Sequence, residues 1–149
     1  RQPQHDQEQD AEHQQAILTL HRTRQGFVEE RTALYNRIRG LIAEFGIVLP
    51  QKVERLRHEI GAHLEDLPGW ANRCVGDMLA HADRLDERIP DYDRAIAEIA
   101  REDARCRRLM QLPGIGPVSA TALVSSIGQT PVPSQISSFK RELLRLVKP

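Results

Sequence analysis

Residues 112–124 read Leu-Pro-Gly-Ile-Gly-Pro-Val-Ser-Ala-Thr-Ala-Leu-Val, and this stretch separates a long helical region from the rest of the chain. Pro113 and Gly114 stop an arriving helix, because proline disfavours the helical conformation in the residue before it and glycine accepts a positive φ. Gly116 leaves space for a helix N-cap, and Pro117 suits the first helical position, where no N–H is needed. The stretch therefore predicts a helix, a tight hairpin and a second helix.

The hairpin has the properties of a binding site for a phosphate. Backbone N–H groups at the start of the second helix have no partner within that helix, and they lie at the positive end of its dipole. A DNA phosphate can bind there without any base being read. The alternative is that the hairpin is only a sharp connector between two packed helices. The candidate phosphate-binding residues are Gly114, Ile115 and Gly116, through their backbone amides, and Arg105, Arg107 and Arg108, through their charge.

Charge is distributed unevenly along a chain whose formal net charge is zero. Residues 101–149 carry eight Lys and Arg against three Asp and Glu, a net charge of +5. Residues 1–15 carry one Arg against four acidic residues, a net charge of −3. The basic end contains the hairpin, which indicates a nucleic-acid partner there. The alternative is a solvated helix surface of ordinary charge.

Composition argues against several other classes of protein. The chain has 149 residues, enough for one domain, and only 4% are aromatic, which is unlike a β-sandwich or barrel. Its two cysteines, Cys74 and Cys106, form neither a zinc-ribbon nor a disulfide pattern. The chain opens with no signal-peptide pattern and contains no apolar run of membrane-spanning length. These features predict a cytoplasmic protein.

Before the hairpin, apolar residues repeat with the spacing of long helices. Residues 1–11 are polar and are expected to form a disordered tail. A helix is expected over residues 12–45, with a coiled-coil seam of two rows. Arg24 and Arg31 interrupt the second row, so this helix is expected to face a polar partner there. The first row is Leu20, Phe27, Leu34 and Leu41, and the second is Ile17, Arg24, Arg31, Ile38 and Phe45.

Two further helices are predicted before the hairpin. Gly46 ends the first helix, and Ile47 folds back onto its last turn. Residues 51–65 form a shorter helix and residues 68–111 a second long one, in which Pro90 is expected to produce a kink or a break. Two long helices joined by a short one predict an antiparallel coiled-coil arm. The apolar positions of the second long helix are Met78, Ala82, Leu85, Ile89, Tyr92, Ile96 and Ile99.

The sequence therefore predicts an all-α fold, with a long antiparallel coiled-coil-like helical hairpin, then a helix-hairpin-helix, then a short C-terminal helix. The last of these follows a linker-like stretch, and Ser134 is its expected cap. The predicted parts are a disordered tail at 1–11, a helical coiled-coil arm at 12–111, a helix-hairpin-helix at 112–128 and a divergent tail at 129–149.

Four strings of residues occur in a fixed order along the chain. They are Leu20-His21-Arg22-x-Arg24, Gly26-Phe27-Val28-x-x-Arg31-Thr32-Ala33-Leu34-x-Asn36-x-Ile38-Arg39-Gly40-Leu41, Glu44-Phe45-Gly46-Ile47-x-x-Pro50 and Arg108-Leu109-x-x-Leu112-Pro113-Gly114-Ile115-Gly116-Pro117-x-x-Ala120-Thr121-Ala122-Leu123. The last string alone resembles the helix-hairpin-helix motif of DNA-binding proteins. Together, over residues 14–128, the strings resemble the central region and the start of the C-terminal domain of transposases of the IS110 insertion-sequence family and its IS116 and IS902 relatives.

The resemblance implies an enzyme that recombines DNA. Such transposases have an N-terminal RuvC-like domain with four acidic metal-binding residues, a coiled-coil linker that assembles oligomers, and a C-terminal domain with a nucleophilic serine. It also implies DNA and a guide RNA as partners, a homo-oligomer formed through the coiled coil, and Mg²⁺ held by the N-terminal domain rather than by this chain. Arginines of the arm that could contact nucleic acid are Arg22, Arg24, Arg31 and Arg39.

The chain departs from the family pattern at both ends. No strand-like run with acidic residues precedes Gln14, and the residues after Gly128 do not continue the pattern towards the serine segment. We therefore assign no catalytic residue, metal ligand or cofactor to this chain, and expect a truncated copy: the DNA-binding and assembly portion of a transposase without independent activity. The alternative is a non-enzymatic helical oligomerisation module without nucleic-acid binding, and a third hypothesis is a decayed gene product without function.

Overall fold

The computed structural model describes residues 3–127 and Arg145, with side-chain surroundings from residue 8 onward. Every regular element within these residues is helical, which confirms the all-α prediction. The tail predicted at 129–149, with its short helix, lies outside the described residues except for Arg145. In chain order the elements are helix α1 (Pro3–Ala43), helix α2 (Val53–His63), a 3₁₀ turn (Leu64–Asp66), helix α3 (Gly69–Glu102), helix α4 (Ala104–Leu109) and helix α5 (Pro117–Ile127).

Helix α1 begins nine residues earlier than the sequence pattern indicates. It starts at Pro3 rather than near Glu12, so the stretch expected to be a disordered tail forms its first turns. Proline is favourable at the first helical position, and the Gln, Glu and Ala residues that follow have high helix propensity. A polar composition therefore hides a favourable helix start.

The end of α1 has the hydrogen bonds of a Schellman motif. Gly46 has a φ of +78°, and its N–H donates to the carbonyl oxygen of Ala43 at 3.0 Å. The N–H of Ile47 donates to the carbonyl oxygen of Ile42 at 3.4 Å, and its side chain packs against the core. This confirms the predicted stop at Gly46 and the return of Ile47 onto the last turn.

The chain divides into two compact units. The central unit comprises residues 26–90, and the terminal unit comprises residues 1–25 together with 91–149. Both long helices cross the boundary, α1 after Gln25 and α3 after Pro90. Each unit has its own hydrophobic core.

The core of the central unit is formed by α1, α2 and α3. On α1 the buried residues Leu34, Ile38 and Ile42 are four residues apart. Leu41 and Phe45, which a seven-residue repeat placed on the seam, are 37% and 47% exposed. The difference arises because a straight α-helix drifts by about 20° per heptad from a 3.5-residue repeat. The other core residues of this unit are Tyr35, Leu49, Leu56, Ile60, Leu67, Val75, Ala82 and Leu85.

A polar network occupies the seam of the central unit around Arg31. Its Nη1 donates to Oδ1 of Asp86 at 2.9 Å, and the hydroxyl of Tyr35 donates to Oδ2 of the same carboxylate at 3.2 Å. Arg57 of α2 pairs with this carboxylate at 3.0 Å, donates to the Tyr35 hydroxyl at 2.7 Å and pairs with Asp83. Burial raises the pKa of Tyr35, which keeps its hydroxyl protonated. The polar partner expected for this arginine is therefore a carboxylate of α3.

Helix α3 continues through Pro90 and ends at Glu102. Of the two effects predicted for Pro90, a kink or a break, the break does not occur, and the helix is instead interrupted at Asp103. This residue is extended, and its carboxylate accepts the backbone N–H of Arg105 at 2.8 Å, so that it caps α4. An aspartate cap offers the chain an alternative to helix continuation, whereas proline removes one hydrogen bond from a helix that packing holds in place.

The core of the terminal unit contains the end of α3 together with α4 and α5. Ala100, Cys106, Leu109, Ala120 and Val124 are buried there. Burial raises the pKa of the Cys106 thiol to about 11, so this cysteine is an uncharged core residue. This small core fixes the two helices on either side of the predicted hairpin.

Substitution by alanine should change the free energy of unfolding in opposite directions at two glycines, one inside α1 and one just after its end. Gly40 lies inside the helix with open space at its Cβ position, so Gly40→Ala should raise the free energy of unfolding by about 0.5–1 kcal/mol. Gly46→Ala should lower it by about 1 kcal/mol, because only the positive φ of Gly46 obstructs a side chain there. Urea denaturation measures both values, and two changes of the same sign would contradict the assigned helix end.

Removing the charge of Asp86 should destabilise the central unit more than removing an exposed charge does. Asp86→Asn leaves Arg31 without its carboxylate and leaves Arg57 with Asp83 alone, and it should lower the free energy of unfolding by about 1–2 kcal/mol. Asp91→Asn is the matched control, because Asp91 pairs with Arg94 on the exposed surface and should contribute less than about 0.5 kcal/mol. Equal losses in urea denaturation would mean that the Asp86 network is no stronger than a surface pair.

Candidate nucleic-acid interface

The turn between α4 and α5 is built from short-range hydrogen bonds. The N–H of Leu112 donates to the carbonyl oxygen of Leu109 at 3.0 Å, which continues the winding of α4 by one step. The N–H of Ile115 then donates to the carbonyl oxygen of Leu112 at 3.2 Å, closing a tight turn. Gly114 has a φ of +85° inside that turn, a conformation that favours glycine. Residues 110–116 therefore reverse the chain within a few residues, and α5 starts at Pro117.

The corner formed by residues 113–119 is open to solvent on its backbone side. Gly114 and Gly116 are exposed, and neither has any atom near the position of an added Cβ. No hydrogen bond from the N–H groups of Gly114, Gly116, Val118 or Ser119 is made to any residue in the described part of the chain. These four amides are the donors that an anion could use.

Ile115 differs from its predicted role. Its N–H is used by the carbonyl oxygen of Leu112, and its side chain packs against the core of the terminal unit. The available amides are therefore those of the two glycines, together with those of Val118 and Ser119 in the first turn of α5. The sequence pattern did not show this because a turn hydrogen bond depends on backbone angles that Pro-Gly-Ile-Gly does not specify uniquely.

The three candidate arginines of α4 have different surroundings. Arg105 is bound to Asp103, with Nη2 2.7 Å from Oδ2. Burial opposes the charged form of Asp103, but the hydrogen bonds from Arg105 outweigh it and lower the pKa of that carboxyl. Arg107 is exposed and donates to the carbonyl oxygens of Arg101 at 2.6 Å and Glu102 at 3.2 Å, at the end of α3.

Arg108, the third of these, is also exposed and lies one residue further along α4. The charge of Arg105 is compensated by its carboxylate partner, so it is not a cation available to a phosphate. Arg107 and Arg108 are the two exposed arginines of α4.

Most of the arm arginines are held by the protein itself. In the terminal unit Arg24 forms an ion pair with Asp93. In the central unit Arg31 binds Asp86, and Arg39 donates to the carbonyl oxygen of Pro50 at 3.0 Å and to that of Gln51. These three predicted nucleic-acid contacts are therefore structural bonds within the fold. Of the four, Arg22 is the exposed one.

The sequence reading missed a contact between His21 and Thr121 in the terminal unit. Nε2 of His21 lies 2.7 Å from Oγ1 of Thr121, which is fully buried on α5. Burial, and secondarily the charge of Arg24, lower the pKa of His21, so the ring is neutral at pH 7. Each residue belongs to one of the strings quoted above, but nothing in a single sequence indicates that residues 100 positions apart meet.

Two other kinds of site were sought among the described residues. Within them, no three His, Cys, Asp or Glu side chains lie together in a way that could hold a metal ion. Among the helices of the described chain, none combines the length and the apolar character needed to cross a bilayer.

Sequence comparison relates this chain to bacterial transposases. It is 34% identical over 120 residues to a Pseudomonas aeruginosa protein named "Probable family 20 transposase", which covers 77% of this chain and 36% of that protein. It is 30% identical over 118 residues to the transposase for insertion sequence element IS1328 of Yersinia enterocolitica, covering 78% of this chain and 35% of the relative.

A third relative is the transposase for insertion sequence element IS1111A of Coxiella burnetii, at 29% identity over 119 residues, or 77% of this chain and 33% of the relative. The chain thus spans about a third of the length of the curated relatives it matches. No protein-family model matches the chain. No solved structure matches it either.

The lowered pKa of His21 should make stability depend on pH. The unfolded chain binds a proton near the ordinary histidine pKa of 6.5, whereas the folded chain binds it only at lower pH. The contribution of His21 to the free energy of unfolding is therefore fully present above about pH 6.5 and is lost as the pH falls below that value. Thermal melts between about pH 7.5 and 5.5 should show a steeper loss of Tm for the unaltered chain than for His21→Gln, which has no titrating ring. Parallel profiles for the two proteins would show that His21 has an unshifted pKa.

Proposed function

This chain is related to insertion-sequence transposases of the IS110, IS116 and IS1111 type, and from that premise we propose that it is the DNA-contacting and assembly segment of such an enzyme. The relatives are transposases by name, and each of them matches more than three quarters of this chain. We assign to this segment contact with the DNA backbone, and to the whole enzyme the transposition of DNA. The resemblance implies acidic metal-binding residues and a nucleophilic serine in such an enzyme. None of these catalytic residues is assigned to the four strings through which this chain resembles the family.

The observation that carries the proposal is the set of open amides at the corner. Gly114 and Gly116 expose their backbone, and no hydrogen bond from their N–H groups is made within the described residues. Val118 and Ser119 present two further N–H groups at the N-terminus of an eleven-residue helix. N–H groups at the positive end of a helix dipole are suited to bind the oxygens of a phosphate group.

The side chains near the corner support a backbone contact rather than the reading of bases. Arg107 and Arg108 are exposed on α4 and can neutralise neighbouring phosphates. From Pro113 to Val118 the side chains of the corner offer no hydrogen-bonding group to a base edge, and Ser119 adds a single hydroxyl. The proposed interaction is therefore with the sugar-phosphate strand and is independent of sequence.

Assembly is the second part of the proposal, and exposed apolar residues of the central unit support it. Val48 is 88% exposed and Trp70 is 77% exposed, with the guanidinium of Arg73 5.6 Å from the centre of the Trp70 ring. Side chains of this size on a surface are typical of protein interfaces. The same observation favours the alternative function, an oligomerisation module without nucleic-acid binding. A guide RNA remains a proposal that rests on the family resemblance alone.

Binding to a labelled DNA duplex of random sequence tests the proposal. The unaltered chain should bind with an affinity that falls steeply between about 50 mM and about 200 mM salt, because each phosphate neutralised by an arginine releases counterions. Arg107→Gln and Arg108→Gln should each reduce the slope of log affinity against log salt by about one. Gly116→Asp should weaken binding by more than about ten-fold, because its carboxylate would replace and repel the phosphate.

Gly69→Asp is the matched control for this test. Gly69 is also an exposed glycine at the start of a helix, and a Cβ added there meets no other atom. Circular dichroism should show the same helix content for both variants. Two results would favour the oligomerisation module instead. One is an equal loss of DNA binding in Gly116→Asp and Gly69→Asp. The other is no DNA binding at low salt together with concentration-dependent association in sedimentation.

A further inference from the structure

The hydrogen bond between His21 and Thr121 connects α1 to α5 within the terminal unit. Nε2 and Oγ1 are 2.7 Å apart, and Thr121 is fully buried. Neither residue is among the candidate site residues of the corner, yet α5 is the helix at whose N-terminus the corner lies. The bond therefore joins a fixed point on α1 to the helix that carries the open amides.

The direction of this bond follows from the other partners of Thr121. Its hydroxyl lies 2.8 Å from the carbonyl oxygen of Pro117 and 3.3 Å from that of Val118, and carbonyl oxygens only accept. The single hydroxyl proton is therefore donated within α5. Oγ1 must then accept from His21, so Nε2 carries the proton of a neutral ring and Nδ1 does not.

The result is a chain of donors that runs from α1 to the first residue of α5. His21 donates to Thr121, and Thr121 donates to Pro117, the residue with which α5 begins. The amides of the corner flank Pro117 on both sides along the chain. The orientation of α5 about its own axis, which sets where those amides point, is thus tied to a histidine of α1.

Packing also holds α5 in place. Its buried residues, Ala120, Thr121, Val124 and Ser125, are mostly small, and the larger Leu123 and Ile127 are partly buried against the same core. Small side chains give shallow ridges, so this part of the face has few interlocking contacts. A directional hydrogen bond in the middle of that face adds a constraint on rotation that these small side chains do not supply.

We propose that His21 is a positioning residue for the phosphate-binding corner, acting through Thr121 to hold α5 in the orientation that presents its N-terminal amides. This inference rests on the proposed DNA contact of the corner. It predicts that His21 affects DNA affinity without touching DNA, and that the effect depends on a donor at Nε2 rather than on the imidazole ring as such.

Substitutions at both ends of the bond test the inference in the DNA-binding assay. His21→Leu and Thr121→Val should each weaken DNA binding by about 3- to 10-fold, the range expected from the loss of one net hydrogen bond. The double variant should lose no more than the single variants, because both remove the same bond. His21→Gln should restore most of the affinity, since its amide N–H lies at the reach of Nε2.

His58→Leu is the matched control, because His58 is an exposed histidine of α2 in the central unit and should leave DNA binding unchanged. The inference would be overturned if the His21→Leu variant bound DNA as tightly as the unaltered chain. It would also be overturned if the His21→Gln variant bound DNA as weakly as the His21→Leu variant. Additive losses in the double variant would also overturn it.

A measurement without DNA separates this inference from the proposed function. Ring ¹⁵N chemical shifts of His21 should show the proton on Nε2 to a greater extent than in free neutral histidine, which already favours that tautomer, and Thr121→Val should return the ratio towards the free value. A ring with its proton on Nδ1 would overturn the inference even if the corner binds DNA. Failure of the unaltered chain to bind DNA would overturn the proposed function and the positioning role together, while the tautomer would still show whether the bond exists.

Discussion

Two arginines on the apolar stripe of α1 impose the constraint on which the long helices depend. A charge that is taken from water towards a core must meet an opposite charge, because the cost of leaving it unpaired exceeds what neighbouring apolar contacts provide. Arg24 meets Asp93 in the terminal unit, and Arg31 meets Asp86 in the central unit. Each unit therefore places one arginine of α1 against one aspartate of α3, and within each unit that pair fixes which turns of the two helices meet.

Apolar spacing predicted most of the fold, and it failed where a second effect competed with it. The end of α1 was predictable because Gly46 and Ile47 act through backbone hydrogen bonds within a single turn. The burial of Ile42 in place of Leu41 was not predictable in this way, because a strict seven-residue repeat departs from the 3.6-residue turn of an α-helix. The break at Asp103 was missed for a related reason. Proline is the residue expected to break a helix, whereas an aspartate can end one helix by capping the next.

The candidate site shows the same division between local and distant effects. The open glycine corner followed from the sequence because it depends on a few consecutive residues. The ion pair between Arg105 and Asp103 was not predicted, although the two residues are only two positions apart, because a count of charges does not show which charges are paired. The bond between His21 and Thr121 was beyond any single-sequence argument, because the residues meet only after α1 and α5 have packed.

In the proposed function, DNA contact and assembly depend on each other. A corner of four amides with two exposed arginines offers few phosphate contacts, and the chain as a whole has no net charge to attract DNA. One such corner would therefore bind a phosphate strand weakly. Two or more copies held together would engage one duplex at a high effective concentration, which raises the combined affinity without any new contact. An interface between copies at the exposed apolar residues of the central unit, as proposed above, would supply the multiplicity that such a corner needs.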